Sequence, residues 1–114
     1  MRELRELKVA LRACADVTRL RILNLLADDD EHSVTDLVSL LRMSQPLVSW
    51  HLRILRRCDL IATRRVGRQV RYRINRKGWE LFLMRLKSIQ ERPLADREEF
   101  PLLVPALRPG ESGQ

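Results

Sequence analysis

The span from Leu41 to Ile74 constrains the fold of this chain more than any other stretch. It reads LRMSQPLVSWHLRILRRCDLIATRRVGRQVRYRI, a helical pattern followed at once by residues that alternate around a glycine. Ser44 predicts the N-cap of the helix, and Pro46 fits its first turn, where a missing N–H costs nothing. Gly67 predicts the turn of a hairpin. The two strands of that hairpin are expected at Ile61–Arg65 and Gln69–Ile74.

Positive charge is concentrated in the same region. Residues 42–77 contain eleven Lys/Arg and a single acid, Asp59, whereas the other 78 residues contain 11 Lys/Arg and 14 acids. This third of the chain therefore carries a net charge of +10, and the rest carries −3. A basic patch of this density predicts a polyanionic partner, and a helix followed by a hairpin favours duplex DNA.

Helical periodicity predicts two helices near the N-terminus. The first covers residues 3–15, and its apolar stripe consists of Leu4, Leu7, Leu11, Cys14 and Ala15. The second covers Val17–Leu26, and Asp16 is a good N-cap for it. The residues of the second helix that we expect to face inward are Leu20, Leu23 and Ile22.

The remaining elements are predicted from caps and turns. An acidic loop is expected at residues 28–32, and Ser33 then opens a third helix, where Ser33 and Asp36 form a capping-box pattern. A three-residue turn separates this helix from the one capped by Ser44, and Asn75 caps a last helix that ends near Glu91. The order α-α-α-α-β-β-α predicts a mainly α fold with a small β-hairpin, which is a winged helix-turn-helix.

Length and composition predict one domain over residues 1–91, followed by a proline-rich C-terminal tail over residues 92–114. A chain of this size builds only a modest core, so a homodimer is expected. No apolar run approaches the roughly 18 residues that a membrane span needs, and the N-terminus lacks the apolar segment of a signal peptide. We therefore expect a cytoplasmic protein with no membrane partner.

The fourth helix divides into a packed arc and a polar arc at 100° per residue. The packed arc consists of Leu47, Val48, His51, Leu52, Ile54 and Leu55. On the polar arc, Gln45 and Ser49 are best placed for base edges, because the N-terminal end of such a helix enters the major groove. Arg53 is expected either to read guanine or to hold phosphate, and the hairpin arginines to hold the backbone or enter the minor groove. The predicted DNA-binding residues are Ser44, Gln45, Pro46, Ser49, Trp50, Arg53, Arg57, Arg64, Arg65, Arg68 and Arg71.

Several of these stretches resemble the ArsR/SmtB family of bacterial repressors. ADVTRLRILNLL at residues 15–26 resembles the family's second helix, and SQPLVSWHL at residues 44–52 resembles its recognition helix. The resemblance covers roughly residues 8–75 and implies a homodimeric repressor, built mainly from the first and last helices, that leaves its operator when an effector binds. The implied dimer-interface residues are Leu4, Leu7, Leu11, Trp79, Phe82, Leu83, Leu86 and Ile89. The alternative for part of this set is packing within one chain.

The metal sites of that family do not carry over to this sequence. The third-helix thiolate motif falls on residues 31–37, where Ser33 and Thr35 stand in place of cysteines, and hydroxyls do not replace thiolates for soft metals. The last helix contains no histidine. His32 is expected to be a solvated loop residue and His51 a packed one. We therefore expect neither a metal nor a cofactor.

The two cysteines, Cys14 and Cys58, are expected to be buried as small hydrophobic residues. A redox switch is the alternative, because Arg56 and Arg57 beside Cys58 would favour its thiolate. The sequence does not identify the effector. It is a small organic ligand between the terminal helices, an oxidant acting on a cysteine, or nothing at all.

The main alternative function is that of a winged-helix protein-interaction module whose basic face meets an acidic partner. Competition separates the two, because a DNA reader prefers one duplex over random DNA by orders of magnitude. An enzyme is disfavoured, since the sequence contains no catalytic pair of acids, no nucleophile with a base and no glycine-rich phosphate loop.

Overall fold

The computed structural model describes residues 2–91, and the predicted tail at residues 92–114 lies outside the described residues. The elements are α1 (Arg2–Cys14), α2 (Val17–Leu25), a 3-10 turn (Ala27–Asp29), β1 (His32–Ser33), α3 (Val34–Leu41), α4 (Gln45–Arg57), β2 (Ile61–Val66), β3 (Gln69–Ile74) and α5 (Arg76–Glu91). The predicted winged helix-turn-helix, mainly α with a small hairpin, is confirmed. Within residues 2–91, no helix is both long enough and apolar enough to cross a membrane.

The predicted N-caps are all formed, because each capping side chain accepts a backbone N–H that the helix start leaves free. The capping oxygens lie 2.9 Å (Asp16 to the Arg19 N–H), 3.1 Å (Ser33 to Asp36), 3.4 Å (Ser44 to Leu47) and 3.1 Å (Asn75 to Gly78) from the donor nitrogens. The capping box of α3 is complete, since the Asp36 carboxylate also accepts the Ser33 N–H at 3.0 Å.

The sheet contains a strand that the sequence did not predict. β3 lies at the centre of a three-stranded antiparallel sheet, with β2 on one side and the two-residue β1 on the other. His32 pairs with Tyr72 and is half-buried, so the expectation of a solvated loop residue is wrong. Two residues are too short for a detectable alternation, and their pairing arises only when α3 brings them beside β3.

The core lies between the helices and the base of the sheet. Its fully buried side chains are Ile22, Leu26, Leu37, Val48, Leu52, Leu55 and Leu60. Two predicted inward residues are exposed instead, Leu20 at 50% and Leu47 at 41%. Apolar residues crowd both sides of α2, so periodicity alone could not choose which side packs.

The start of α5 is held tightly against the turn between α4 and β2. The Leu60 carbonyl accepts the Asn75 N–H at 3.1 Å and the Trp79 indole N–H at 3.0 Å. At Gly78 the helix approaches the backbone of Asp59 so closely that a Cβ would overlap its carbonyl oxygen. The end of α4 and the start of α5 are therefore one rigid joint.

Candidate nucleic-acid interface

The helix-turn-helix is formed by α3, a three-residue turn and α4. The turn begins at Arg42, which adopts a left-handed conformation (φ 55°) and donates its N–H to the Val38 carbonyl at 2.9 Å. α4 is anchored on one side by its buried residues, Val48, His51, Leu52 and Leu55. The predicted packed arc is confirmed apart from Leu47, and the other side of α4 faces outward.

The outward side of α4 carries polar and basic side chains that do not pair with other described residues. Gln45, Arg53 and Arg56 are exposed, and Ser49 between them is half-buried. None of these side chains makes a hydrogen bond or ion pair with another of the residues 2–91. Ser44 and Pro46 lie at the exposed start of the same helix. This face, which we call the α4 outer face (Gln45, Ser49, Arg53 and Arg56), carries hydrogen-bond donors that have no partner among residues 2–91.

The arginines of the hairpin differ in how free they are. Arg64 is held by Glu31, with its Nη2 at 2.7 Å and its Nε at 2.9 Å from the two carboxylate oxygens. This pairing lowers the pKa of Glu31 and keeps the carboxylate charged. Arg65 donates to the Gly67 carbonyl at 3.4 Å, and Arg71 donates to the Gln69 side chain at 3.1 Å.

Arg68 occupies the tip of the hairpin, next to Gly67, which has a φ of 62°. Its guanidinium makes no hydrogen bond or ion pair within the described part of the chain, so it is free to contact an anion. Arg64 must instead share its charge with Glu31. A count of charges in the sequence does not distinguish the hairpin arginines. The fold distinguishes them, because it pairs Arg64 with an acid and leaves Arg68 exposed at the tip.

Arg57 lies in the last turn of α4, at the end away from the capped start of that helix. It lines a cavity together with residues of α1 and α5. Although Arg57 is one of the predicted DNA-binding residues, it lies beside the terminal helices rather than on the α4 outer face.

A side chain with no predicted role, Arg19 of α2, joins three elements. Its Nε donates to the Ala13 carbonyl at the end of α1 (2.7 Å), and its Nη1 lies 3.1 Å from Nδ1 of the buried His51. Its guanidinium also lies 5.8 Å from the ring centre of Trp50, which is half-exposed. Arg19 therefore holds α1 and α2 against α4 and covers one side of Trp50. Only spatial proximity reveals this role, since 32 residues separate Arg19 from His51.

The contact with Arg19 defines the protonation state of His51. Arginine only donates, so Nδ1 must accept and the ring is neutral, with its proton on Nε2. Burial lowers the pKa of His51 below its ordinary value of 6.5. The charge of Asp16 raises this pKa, and the charge of Arg19 lowers it. The unfolded chain therefore binds more protons than the folded chain as pH falls through this range.

We expect the free energy of unfolding to fall as pH decreases below about 6.5, because His51 contributes stability only while it is neutral. His51→Asn keeps an acceptor near Nδ1 but cannot be protonated, so its stability should vary less between pH 7 and pH 5. Urea unfolding at several pH values measures the difference. An equal pH dependence in both proteins would show that His51 does not titrate on unfolding. Asp16 does not confuse this window, because its pKa is lowered from 3.8 by the Arg19 N–H.

The third-helix position of the thiolate motif does not fit a metal. The Ser33 hydroxyl is buried and serves as the helix cap, while Thr35 is exposed. Nowhere in residues 2–91 do three or more His, Cys, Asp or Glu side chains group closely enough to hold a metal ion. Hydroxyl oxygens are poor ligands for soft metals, so Ser33 and Thr35 do not fit a thiolate-type metal site.

Both cysteines are half-buried thiols. Burial raises the pKa of Cys14 and of Cys58, which is opposite to the alternative that neighbouring arginines favour the Cys58 thiolate. The Cys58 thiol donates to the Leu55 carbonyl at 3.4 Å. Arg56 and Arg57 are exposed, and burial is the largest influence on the pKa of the Cys58 thiol.

The predicted dimer-interface residues separate into two groups. Leu7 and Phe82 are buried inside the single chain, where they join the core, and Trp79 is half-buried beside Phe82. Leu4 is half-buried at the surface. The remaining exposed apolar side chains are Leu11, Leu83, Leu86 and Ile89. The predicted dimer interface on the terminal helices therefore depends on Leu4 and these four residues.

Comparison with known proteins agrees with this geometry. Residues 16–63 match the family described as bacterial regulatory protein, arsR family. The chain is 32% identical over 114 residues to the arsenic resistance transcriptional regulator ArsR1 of Pseudomonas putida, a match that covers 100% of this chain and 85% of that protein. It is 44% identical over 61 residues to the arsenical resistance operon repressor of Escherichia coli, which covers 54% of this chain and 52% of the repressor.

The fold is also similar to a solved structure, a homodimeric winged helix-turn-helix DNA-binding domain of Mycobacterium bovis that is described as a possible ArsR-family regulator. The TM-score is 0.63 at 28% identity, over 80% of this chain and 83% of that one.

Proposed function

Since this chain belongs to the arsR family and is a DNA-binding transcriptional regulator rather than an enzyme, we propose that it acts as a homodimeric repressor that an effector releases from its operator. This proposal goes beyond family membership in three respects, which are the residues that read DNA, the dimer and the release.

The observation that carries the proposal is the α4 outer face. Buried residues on the opposite side fix this helix, and the side chains of Gln45, Ser49 and Arg53 have no partner within the described range 2–91. Gln45 and Ser49 lie near the capped start of α4, the end that reaches base edges when a recognition helix enters the major groove. Arg53 lies about two turns beyond Gln45 and one turn beyond Ser49, and its guanidinium has the fork geometry for a guanine edge. Arg68 at the hairpin tip is suited to hold the phosphate backbone.

The exposed apolar residues of the terminal helices support a homodimer. Leu83 of α5 is 53% exposed, and Leu11, Leu86 and Ile89 are exposed as well. Large apolar side chains gathered on neighbouring helices indicate a surface that another protein covers. The similar Mycobacterium bovis domain is a homodimer. A twofold dimer of this kind presents two α4 helices to one side of a duplex.

Footprinting on a genomic fragment that the protein retains tests this proposal. Two protected major-groove segments about 34 Å apart are expected, as two recognition helices related by a twofold axis require. The Leu83→Glu/Leu86→Glu variant should sediment as a monomer and lose the paired footprint. Leu40→Glu, which adds one charge at an exposed leucine of α3, is the control and should stay dimeric. One protected segment, or a monomeric wild type, would contradict the proposal.

A further inference from the structure

A cavity of about 600 Å³ lies between α1, the last turn of α4 and the first three turns of α5. We propose that this cavity binds a small organic anion with an apolar body, and that this anion is the effector. The effector role depends on the proposed function above, whereas the binding itself does not. The volume lies within the range of pockets that enclose small organic ligands.

The interior of the cavity is apolar. Its walls include Val9 and Ala10 from α1 and Leu81 and Phe82 from α5, and the half-buried Cys58 lies at the end of α4. Ala10 and Phe82 are themselves buried, so the inner end of the cavity reaches the core. Such walls favour a hydrocarbon or aromatic body over a fully hydrated ion.

The edge of the cavity is basic. Four cationic side chains line it against two carboxylates. The cations are Arg5, Arg57, Lys77 and Arg85, and the acids are Glu6 and Asp59. Arg85 is paired with Glu6, but Arg5, Arg57 and Lys77 make no hydrogen bond or ion pair with any other residue in the range 2–91. Three cations without a protein partner around an apolar interior favour an anionic group on the ligand.

The outer part of the cavity, at Val9 and Leu81, lies on a different side of the terminal helices from Leu4, Leu11 and Leu83 of the proposed dimer surface. At about 100° per residue, Val9 is about 140–160° from Leu4 and Leu11 around α1. Leu81 is likewise about 140–160° from Leu83 and Leu86 around α5. A second copy centred on Leu4, Leu11 and Leu83 therefore leaves Val9 and Leu81 at the outer part of the cavity open. This separation favours a small ligand over the partner chain as the occupant.

The position of the cavity connects it to the DNA-reading helix. Arg57 and Cys58 belong to the end of α4, and the tight joint at Gly78 fixes that end to α5. Since this joint makes the end of α4 and the start of α5 one unit, a ligand that also contacts α1 favours one arrangement of α1 relative to that unit. Because α1 and α5 carry the proposed dimer surface, this arrangement sets the spacing of the two α4 helices. A ligand that prefers one spacing shifts the population toward it.

The experiment compares two fluorescent probes that share an aromatic body. Anilinonaphthalene sulfonate carries an anionic group, and N-phenylnaphthylamine lacks it. We expect the sulfonate to bind wild type at one site per chain and at least about tenfold more tightly than the neutral probe, since one charge-assisted contact of about 1.4 kcal/mol is tenfold in affinity. Equal affinity of the two probes would overturn the anionic site.

Three variants locate the site. Arg5→Gln/Lys77→Gln removes two unpaired cavity cations and should weaken sulfonate binding about tenfold or more. Lys8→Gln/Lys87→Gln makes the same charge change on the same two helices outside the cavity and should bind as wild type does. Val9→Trp fills the cavity from a half-exposed position and should prevent binding of both probes. Undiminished binding to the Val9→Trp or Arg5→Gln/Lys77→Gln variant would overturn the location.

Operator binding separates this inference from the proposed function. Without a probe, the Arg5→Gln/Lys77→Gln variant should retain operator affinity, which tests the repressor independently. The sulfonate should weaken operator binding of wild type and leave this variant unaffected. Binding in the cavity with no effect on operator affinity would overturn the effector role.

Discussion

Gly78→Ala is expected to destabilise the protein by several kcal/mol, a loss comparable to the whole stability of a small domain. The added Cβ would overlap the Asp59 carbonyl oxygen and lie 2.7 Å from the carbonyl carbon. Both atoms are backbone, so no side-chain rotation relieves the overlap. α5 would have to move away from the end of α4, which would break the contacts of Asn75 and Trp79 with the Leu60 carbonyl.

Gly67→Ala is the matched control, because it adds the same methyl group at the hairpin tip. Gly67 has a φ of 62°, but nothing lies within 4 Å of its added Cβ. Its expected cost is about 1–2 kcal/mol, from the left-handed backbone alone. Urea unfolding followed by circular dichroism compares the two variants. A Gly78→Ala protein as stable as Gly67→Ala would show that the helix and turn are not so close.

Arg53→Ala is expected to weaken operator binding by about ten- to hundredfold, as the loss of one bidentate base contact worth about 1–3 kcal/mol implies. The effect on random DNA should be much smaller, because base contacts carry specificity and phosphate contacts do not. Arg53 has no side-chain partner among residues 2–91, so its removal should leave the stability of the fold nearly unchanged. Gel-shift titrations with operator and random duplexes measure both affinities.

Two other arginines serve as controls for this experiment. Arg68→Ala at the hairpin tip should weaken operator and random DNA alike and reduce the salt dependence by about one phosphate contact. Arg2→Ala on α1 removes the same charge far from the α4 outer face and should change neither affinity. If Arg53→Ala binds its operator as tightly as wild type does, the α4 outer face is not the reading surface.

Predictions from local sequence patterns agreed with the structure where the interaction itself is local. The caps at Asp16, Ser33, Ser44 and Asn75 each join residues three apart. A short stretch of sequence therefore contains both partners of each hydrogen bond, and the pattern predicts the contact directly. The packed and polar arcs of α4 were predicted from helical periodicity, because the apolar side of an amphipathic helix packs against the core.

The predictions that failed involve a choice between similar apolar residues or a contact between distant ones. Leu20 and Leu47 are as apolar as their buried neighbours, and only the position of the next element leaves them exposed. The strand at His32 forms because α3 carries it to β3. The alternative of a Cys58 thiolate does not agree with the structure, because burial of the sulfur, which charge counting ignores, raises its pKa.

The amino-acid sequence by itself determined the order of the helices, the hairpin, their caps, the concentration of positive charge and the resemblance to a regulator family. Only the tertiary structure decided which arginines remain free, since Glu31 neutralises Arg64 across 33 residues of sequence. It also decided that Arg19 supports α4 and that cations without a partner among residues 2–91 surround a cavity beside that helix. The physical reason is range. Capping and periodicity act within one helical turn, whereas these contacts exist only after distant segments have packed together.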